Sequence, residues 1–255
     1  MNSTKEEKIK GLVKPDSSDL GHEVVIEVED ISKDFKVGKN EIHALRDINL
    51  KIYSTDFAVI FGPSGCGKST LLNIILGIDN PTTGKVILRD RNIFLIPEDE
   101  RGIFRSRKIG MIYQTPYWVR SLNSVENVAL PLIIEGIKQS FALARAHKVM
   151  EELEIDTLAK QIPTQLSGGE QQKLELARAL VANPWIIMAD EPTGNLDSAS
   201  ANEIMELFDE LNQKHDRTVV LVTHNQAYWG LGNRRIEMKD GKIIKDSKHR
   251  RNSTI

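Results

Sequence analysis

Gly62-Pro63-Ser64-Gly65-Cys66-Gly67-Lys68-Ser69-Thr70 decides the fold of this chain. A short, nearly continuous apolar run, Asp56 to Phe61, leads into it, and a helical pattern, Ser69 to Leu76, leads out. A strand, a glycine-rich turn and a helix in that order form a phosphate-binding loop. The glycines let the backbone curl into a nest whose N–H groups face anion oxygens, and the helix N-terminus adds a favourable field. Lys68 supplies a point charge for the β and γ phosphates of a nucleotide, and Ser69 offers a hydroxyl to magnesium. Pro63, Ser64, Cys66 and Thr70 belong to the cradle by position. Cys66 reads mainly as a small filler, although a helix N-terminus can lower a thiol pKa. Protection of that thiol by bound nucleotide is therefore expected.

Outward from this loop, two further apolar runs read as buried parallel strands, Trp185 to Ala189 and Val219 to Val222. The first ends in Asp190-Glu191 and the second leads to His224, so all three stations fall at carboxyl ends of strands, where open α/β sheets bind ligands. Asp190 is the expected magnesium partner and Glu191 the expected base that polarises a water for attack on the γ phosphate. His224 is expected to contact the γ phosphate and orient that water. Helical patterns occupy roughly 98–107, 124–135, 141–154, 169–182 and 199–214. Strands alternating with helices imply a mostly parallel sheet. Val24 to Val28 and His43 to Tyr53 alternate apolar and polar residues, as half-buried strands do. The stretch from about 115 to 175 lacks a strand and reads as an inserted helical subdomain, with Pro131 expected to kink or interrupt its helix.

Composition sets the outer limits. The chain has 255 residues, of which 40% are hydrophobic and 27% charged, enough apolar material for a core and too much for wholesale disorder. Its 34 Lys and Arg nearly balance 36 Asp and Glu, so net charge gives no argument for nucleic acid binding. The apolar runs are about five residues long, against the roughly 20 a membrane-spanning helix needs. The polar start of the chain is unlike a secretory signal, and a single cysteine fits a reducing compartment. Residues 1–22 read as a flexible tail, 23–246 as the folded body and 247–255 as a short basic tail.

Leu166-Ser167-Gly168-Gly169-Glu170-Gln171-Gln172 resembles the signature motif of the ABC ATPases, a pattern far more specific than a phosphate loop alone. Gln114 is similar to the Q-loop glutamine of that family, Gly194-Asn195-Leu196-Asp197 to its D-loop and His224 to its switch histidine. Phe35 stands where the family stacks an aromatic ring on adenine. The resemblance covers about residues 24 to 246. It implies an α/β P-loop NTPase fold with a mostly parallel core sheet, an antiparallel β layer and an inserted helical subdomain. It further implies ATP and Mg2+ as ligands, with Ser69, Gln114 and Asp190 near the metal. Ser167 and Gly169 open a helix and make an anion site. In the family that site, together with Asp197, serves the γ phosphate held by a second cassette. One P-loop and one signature per chain thus imply a head-to-tail dimer, expected to be a homodimer, around two ATP molecules.

Glu126-Asn127-Val128-Ala129-Leu130-Pro131-Leu132 and Asp190-Glu191-Pro192-Thr193-Gly194-Asn195-Leu196-Asp197 are similar to the lipoprotein-releasing and macrolide-exporter subgroup, with cell-division ATPases as close relatives. The implied protein is cytoplasmic, held at the inner face of the membrane by a separate permease. Some positions depart from the family. Lys173 replaces an arginine, Ser54-Thr55-Asp56 replaces Gly-Glu, and Tyr117-Trp118 adds aromatic bulk after Gln114. The two aromatics either anchor a permease or pack within the subdomain. A nucleic-acid-linked ABC ATPase is the alternative class, but only about 100 residues separate loop from signature, with no heptad run and no CxxC pair. A module that binds ATP without turnover is disfavoured by the presence of Gln114, Glu191 and His224.

Overall fold

The computed structural model describes residues 23–248, which form two sheets and six α-helices. The smaller sheet is antiparallel, in the order β2-β1-β4-β5, with β1 Val24–Val37, β2 Asn40–Tyr53, β4 Thr83–Leu88 and β5 Arg91–Asn92. The larger sheet runs β10-β9-β3-β8-β7-β6. Its members are β3 Phe57–Phe61, β6 Ile109–Ile112, β7 Ile186–Asp190, β8 Thr218–Thr223, β9 Arg234–Lys239 and β10 Lys242–Lys248. All are parallel except β10, which turns back on β9. The expected parallel core and antiparallel layer are both present.

The central strands are buried on both faces, and their side chains divide by parity. Phe57, Val59, Ile187, Ala189, Val219 and Leu221 face one core, shared with the helical layer. Ala58, Ile60, Ile186, Met188, Val220 and Val222 face the other, shared with α1 (Lys68–Ile75) and the antiparallel sheet. This is why the runs read as unbroken apolar segments rather than alternating ones.

The helical layer is built from α3 Ser124–Ile134, α4 Gln139–Glu152 and α5 Gly168–Leu180. α2 (Glu98–Lys108) precedes β6, and α6 (Ser198–Gln213) joins β7 to β8. The α3 start is a capping box, in which Asn123 accepts from the Glu126 N–H and Glu126 accepts from the Asn123 N–H. Pro131 lies inside α3 and does not interrupt it. Proline forfeits a single backbone bond, and with only three residues to follow, the helix carries the loss.

The departure at Ser54-Thr55-Asp56 has a structural role. Asp56 is buried, accepts from the Tyr53 N–H at 3.0 Å and meets Arg234, which also grips Asp246 at 2.7 Å. The cluster ties the start of β3 to β9 and β10. β10 continues to Lys248, two residues past the expected end of the body. The N-terminal tail and the rest of the basic tail lie outside the described residues.

Candidate nucleotide site

β3 delivers the loop, and α1 begins at its end. Gly67 takes φ 103°, and a Cβ there would stand 2.6 Å from the Ala44 carbonyl oxygen, so the turn admits only glycine. Lys68 is buried and donates to the carbonyls of Gly62 and Pro63 at 2.8 and 3.0 Å. An ammonium has three donors, so one N–H remains for a phosphate oxygen. The loop lines a cavity of about 370 Å³ together with Ser69, Thr70, Gly65, and Ile42 to Ala44 of β2. Phe35 pairs with Ile42 across β1 and β2, and its partly exposed ring lies under the Lys33 ammonium at 4.8 Å.

Cys66 fits the expectation of a small filler residue. Its thiol is buried, and burial pushes its pKa up despite the helix N-terminus and Lys68. It is packing beneath Gly62 rather than an activated nucleophile, as its closeness to the Cβ direction of Gly62 shows.

β7 brings Asp190 to the same edge. The Ser69 hydroxyl bonds the Asp190 carboxylate, whose pKa is raised by burial against the pull of that bond. Asp190 Oδ1 is buried with no hydrogen-bond partner. A buried, unsatisfied carboxylate oxygen beside a serine hydroxyl fits a hard divalent cation. No group of three His, Cys, Asp or Glu side chains able to hold a metal exists among the described residues, so most of the ligands of such an ion must come from nucleotide and water.

Glu191 follows immediately, in the left-handed region at φ 49°, where a non-glycine residue is strained. Its N–H donates to Val222 at 2.9 Å, fixing the turn to β8. This geometry lays Glu191 Oε1 2.8 Å from His224 Nδ1. The spacing of the two in sequence announces nothing of this contact; it follows from the pairing of β7 with β8. Gln114 sits against the turn after Glu191: its side-chain amide nitrogen would be 2.9 Å from a Cβ on Gly194, and its main-chain carbonyl accepts from the Asn195 side-chain amide at 3.2 Å.

Ser167 caps α5. Its N–H and hydroxyl both donate to Glu170, at 2.8 and 2.7 Å, and these bonds lower the Glu170 pKa. Asp197 caps α6, accepting from the N–H groups of Ala199 and Ser200 and from the Ser200 hydroxyl, which lowers its pKa. The capping roles of Ser167 and Asp197 are legible as polar residues placed just before helical patterns. Ser167 and Gly169 line their own cavity of about 250 Å³, which shares no residue with the loop cavity. Lys173 makes an ion pair with Glu203 at 2.7 Å, so the exchange from arginine still links α5 to α6.

The aromatics after Gln114 divide the two expected roles. Trp118 packs on the helical core and donates to Gln171 at 3.0 Å, with the Arg178 guanidinium over its ring at 4.4 Å. Tyr117 is 73% exposed, edge-on to Tyr113. It lines a groove of about 560 Å³ between α1, α2, β6, α3 and α5, with Ile78, Met111 and Pro131 among its walls. Arg178 donates to the Tyr117 carbonyl at 2.6 Å and is paired with Glu175 at 3.2 Å. Glu175 is wholly buried, its Oε2 has no partner, and burial pushes its pKa up to about 7.

A parallel sheet with a phosphate loop, an acidic strand end and a histidine at one edge defines a P-loop ATPase, here bearing a helical insertion and an antiparallel layer. The family model described as ABC transporter matches residues 45–194, and the chain belongs to that family. It is 42% identical over 226 residues to the macrolide export ATP-binding/permease protein MacB of Aggregatibacter actinomycetemcomitans, covering 89% of this chain and 35% of that one. It is 36% identical over 233 residues to the lipoprotein-releasing system ATP-binding protein LolD 1 of Chlorobium chlorochromatii, covering 91% and 95%. Among solved structures it resembles the dimeric post-hydrolysis state of the ATP-binding cassette MJ0796 bound to ADP and Pi, with a TM-score of 0.82, 39% identity and coverage of 88% and 99%. The chain is an ABC transporter ATP-binding subunit and hydrolyses ATP. No helix among the described residues is long and apolar enough to cross a membrane.

Proposed function

We propose that this subunit drives a separate membrane permease of the lipoprotein-releasing or macrolide-exporting type, as one half of a head-to-tail dimer that holds two ATP molecules. The observation that carries the dimer is the separation of the two anion sites. The loop cavity holds Lys68 and Ser69, while the signature cavity holds Ser167 and Gly169 and has no phosphate loop of its own. Each half-site is complete only when a second chain brings the other. The MacB and LolD likenesses support the subgroup, and the exposed Tyr117 in its groove supports a docked permease helix.

In this reading Lys68 and the loop N–H groups hold the phosphates, and Phe35 stacks on adenine. Ser69, Asp190 and Gln114 would hold Mg2+, which would supply positive charge to offset that of the phosphates. Glu191 takes the proton of the attacking water. His224 orients Glu191 and reaches the γ phosphate. Ser167, Gly169 and Asp197 act toward the nucleotide of the partner chain, which requires the Ser167 hydroxyl to leave Glu170.

Phosphate release and gel filtration of Glu191→Gln test the reading. Turnover should fall by about 100-fold or more, ATP should stay bound and an ATP-dependent dimer should accumulate. Normal turnover, or a chain that stays monomeric with ATP bound, would overturn it.

A further inference from the structure

Away from the nucleotide, at the amino-terminal ends of the strands, Trp185 lies just before β7 with cations on both of its faces. The Arg89 guanidinium carbon is 3.5 Å from the ring centroid and the Lys108 ammonium 3.7 Å. Van der Waals contact keeps an atom about that far from a ring plane, so both groups stand almost on the ring normal, and both cannot occupy one face. Arg91 and Arg107 line the same cavity, which has a volume of about 500 Å³. Two carboxylates, Asp90 and Glu100, also line it. Arg107 is paired with Glu135 at 3.0 Å, but no ion pair is made by Arg89, Arg91 or Lys108 among the described residues. Arg89 Nε is buried with no hydrogen-bond partner.

The backbone adds a second sign. Arg89 and Asp90 form the two-residue turn between β4 and β5, and Arg89 takes φ 56° there. A glycine or asparagine occupies such a position with less strain. An arginine is held where the main chain disfavours it, and its side chain is directed onto the ring beside three other cations.

We propose that this cavity is a binding site for a phosphate group at the edge of Trp185, bonded by Arg89 and Arg91, with Lys108 adding its positive field from the opposite face of the ring. The cation excess calls for a compact, strongly charged anion. Guanidinium groups bond phosphate oxygens in pairs, while lysine adds a point charge. Crowding is already felt at Lys108, whose pKa is lowered by burial and then by Arg89, Arg107 and Arg91. An anion relieves that repulsion. Two sources carry this chemistry: a soluble phosphate compound and the headgroup of an anionic phospholipid. The site neighbours the Tyr117 groove, since Arg105 and Ser106 of α2 line the groove while Arg107 and Lys108 line this cavity.

The test uses the full chain with its nucleotide site filled by a non-hydrolysable ATP analogue. One arm titrates inorganic phosphate by calorimetry, against chloride at matched ionic strength. The other measures flotation with phosphatidylcholine vesicles, with and without phosphatidylglycerol. Arg89→Gly removes the guanidinium while easing the turn, and Lys108→Gln removes the second charge. A saturable response in either arm that weakens at least tenfold in both variants supports the site. Phosphate alone identifies a soluble ligand, and phosphatidylglycerol alone a headgroup. No response in either arm, or equal responses in parent and variants, overturns the proposal.

Discussion

Glu175 makes the stability of this cassette depend on pH in the reverse of the usual carboxylate sense. It is wholly buried on α5, and its pKa stands at about 7 instead of 4.5. Well below 4.5 it is protonated folded or unfolded and contributes nothing. Between 4.5 and about 7 the folded chain keeps a proton that the unfolded chain has released. Folding therefore takes up a proton, and stability falls as pH rises through this window. The shift is worth at most about 3 kcal/mol, fully expressed above pH 7. Glu175→Gln keeps the shape and cannot ionise. Urea unfolding of both proteins at several values between about pH 4 and pH 8 measures the effect. The glutamine variant should gain on the parent by about 2–3 kcal/mol across the range. Asp190 and Glu152, also raised by burial, tilt both curves alike, so the difference isolates Glu175. Parallel curves for the two proteins would refute the reasoning.

Lys68→Ala should weaken ATP binding by about 10- to 100-fold, as loss of a charge-assisted contact does; a fluorescent-nucleotide titration checks it. Gly62→Ala places a Cβ 2.3 Å from the Met238 carbonyl oxygen and should cost about 2 kcal/mol or more in a thermal melt. Trp118→Ala should lose about 2–3 kcal/mol of stability, whereas Tyr117→Ala should change stability by under about 0.5 kcal/mol. The tyrosine variant should instead recover less of its membrane partner in co-purification, and the two effects exchanged would overturn the division of roles.

Much of this fold was open to reading because its strongest signals are local. The loop, the acidic strand end and the helical periods needed no knowledge of distant contacts. β6 escaped because Ile109-Gly110-Met111-Ile112 is four residues long with a glycine inside, and it is a strand only through its pairing with β7. β9 and β10 are short and rich in charge, and β4 has only Val86-Ile87-Leu88 behind a polar Thr83-Gly84-Lys85, so tertiary pairing rather than hydrophobic pattern makes them strands. At the site, each residue type was legible and the contacts were not. The Glu191–His224 approach depends on strand register, and the different fates of Tyr117 and Trp118 depend on where α5 lies. The burial of Cys66 depends on β9 closing over the loop.

The parity of the central strands governs how the gene can change length. In β3, β7 and β8 neighbouring residues serve opposite cores. Deleting one codon inside any of them would exchange the two faces, turning six or so well-packed side chains toward the wrong layer and shifting the strand end that aims Lys68, Asp190 or His224. The same deletion in the exposed turn between α3 and α4, at residues 136–138, would only shorten a connection. Indels in descendants of this sequence should therefore accumulate in the connecting turns and be purged from three stretches of five or six residues.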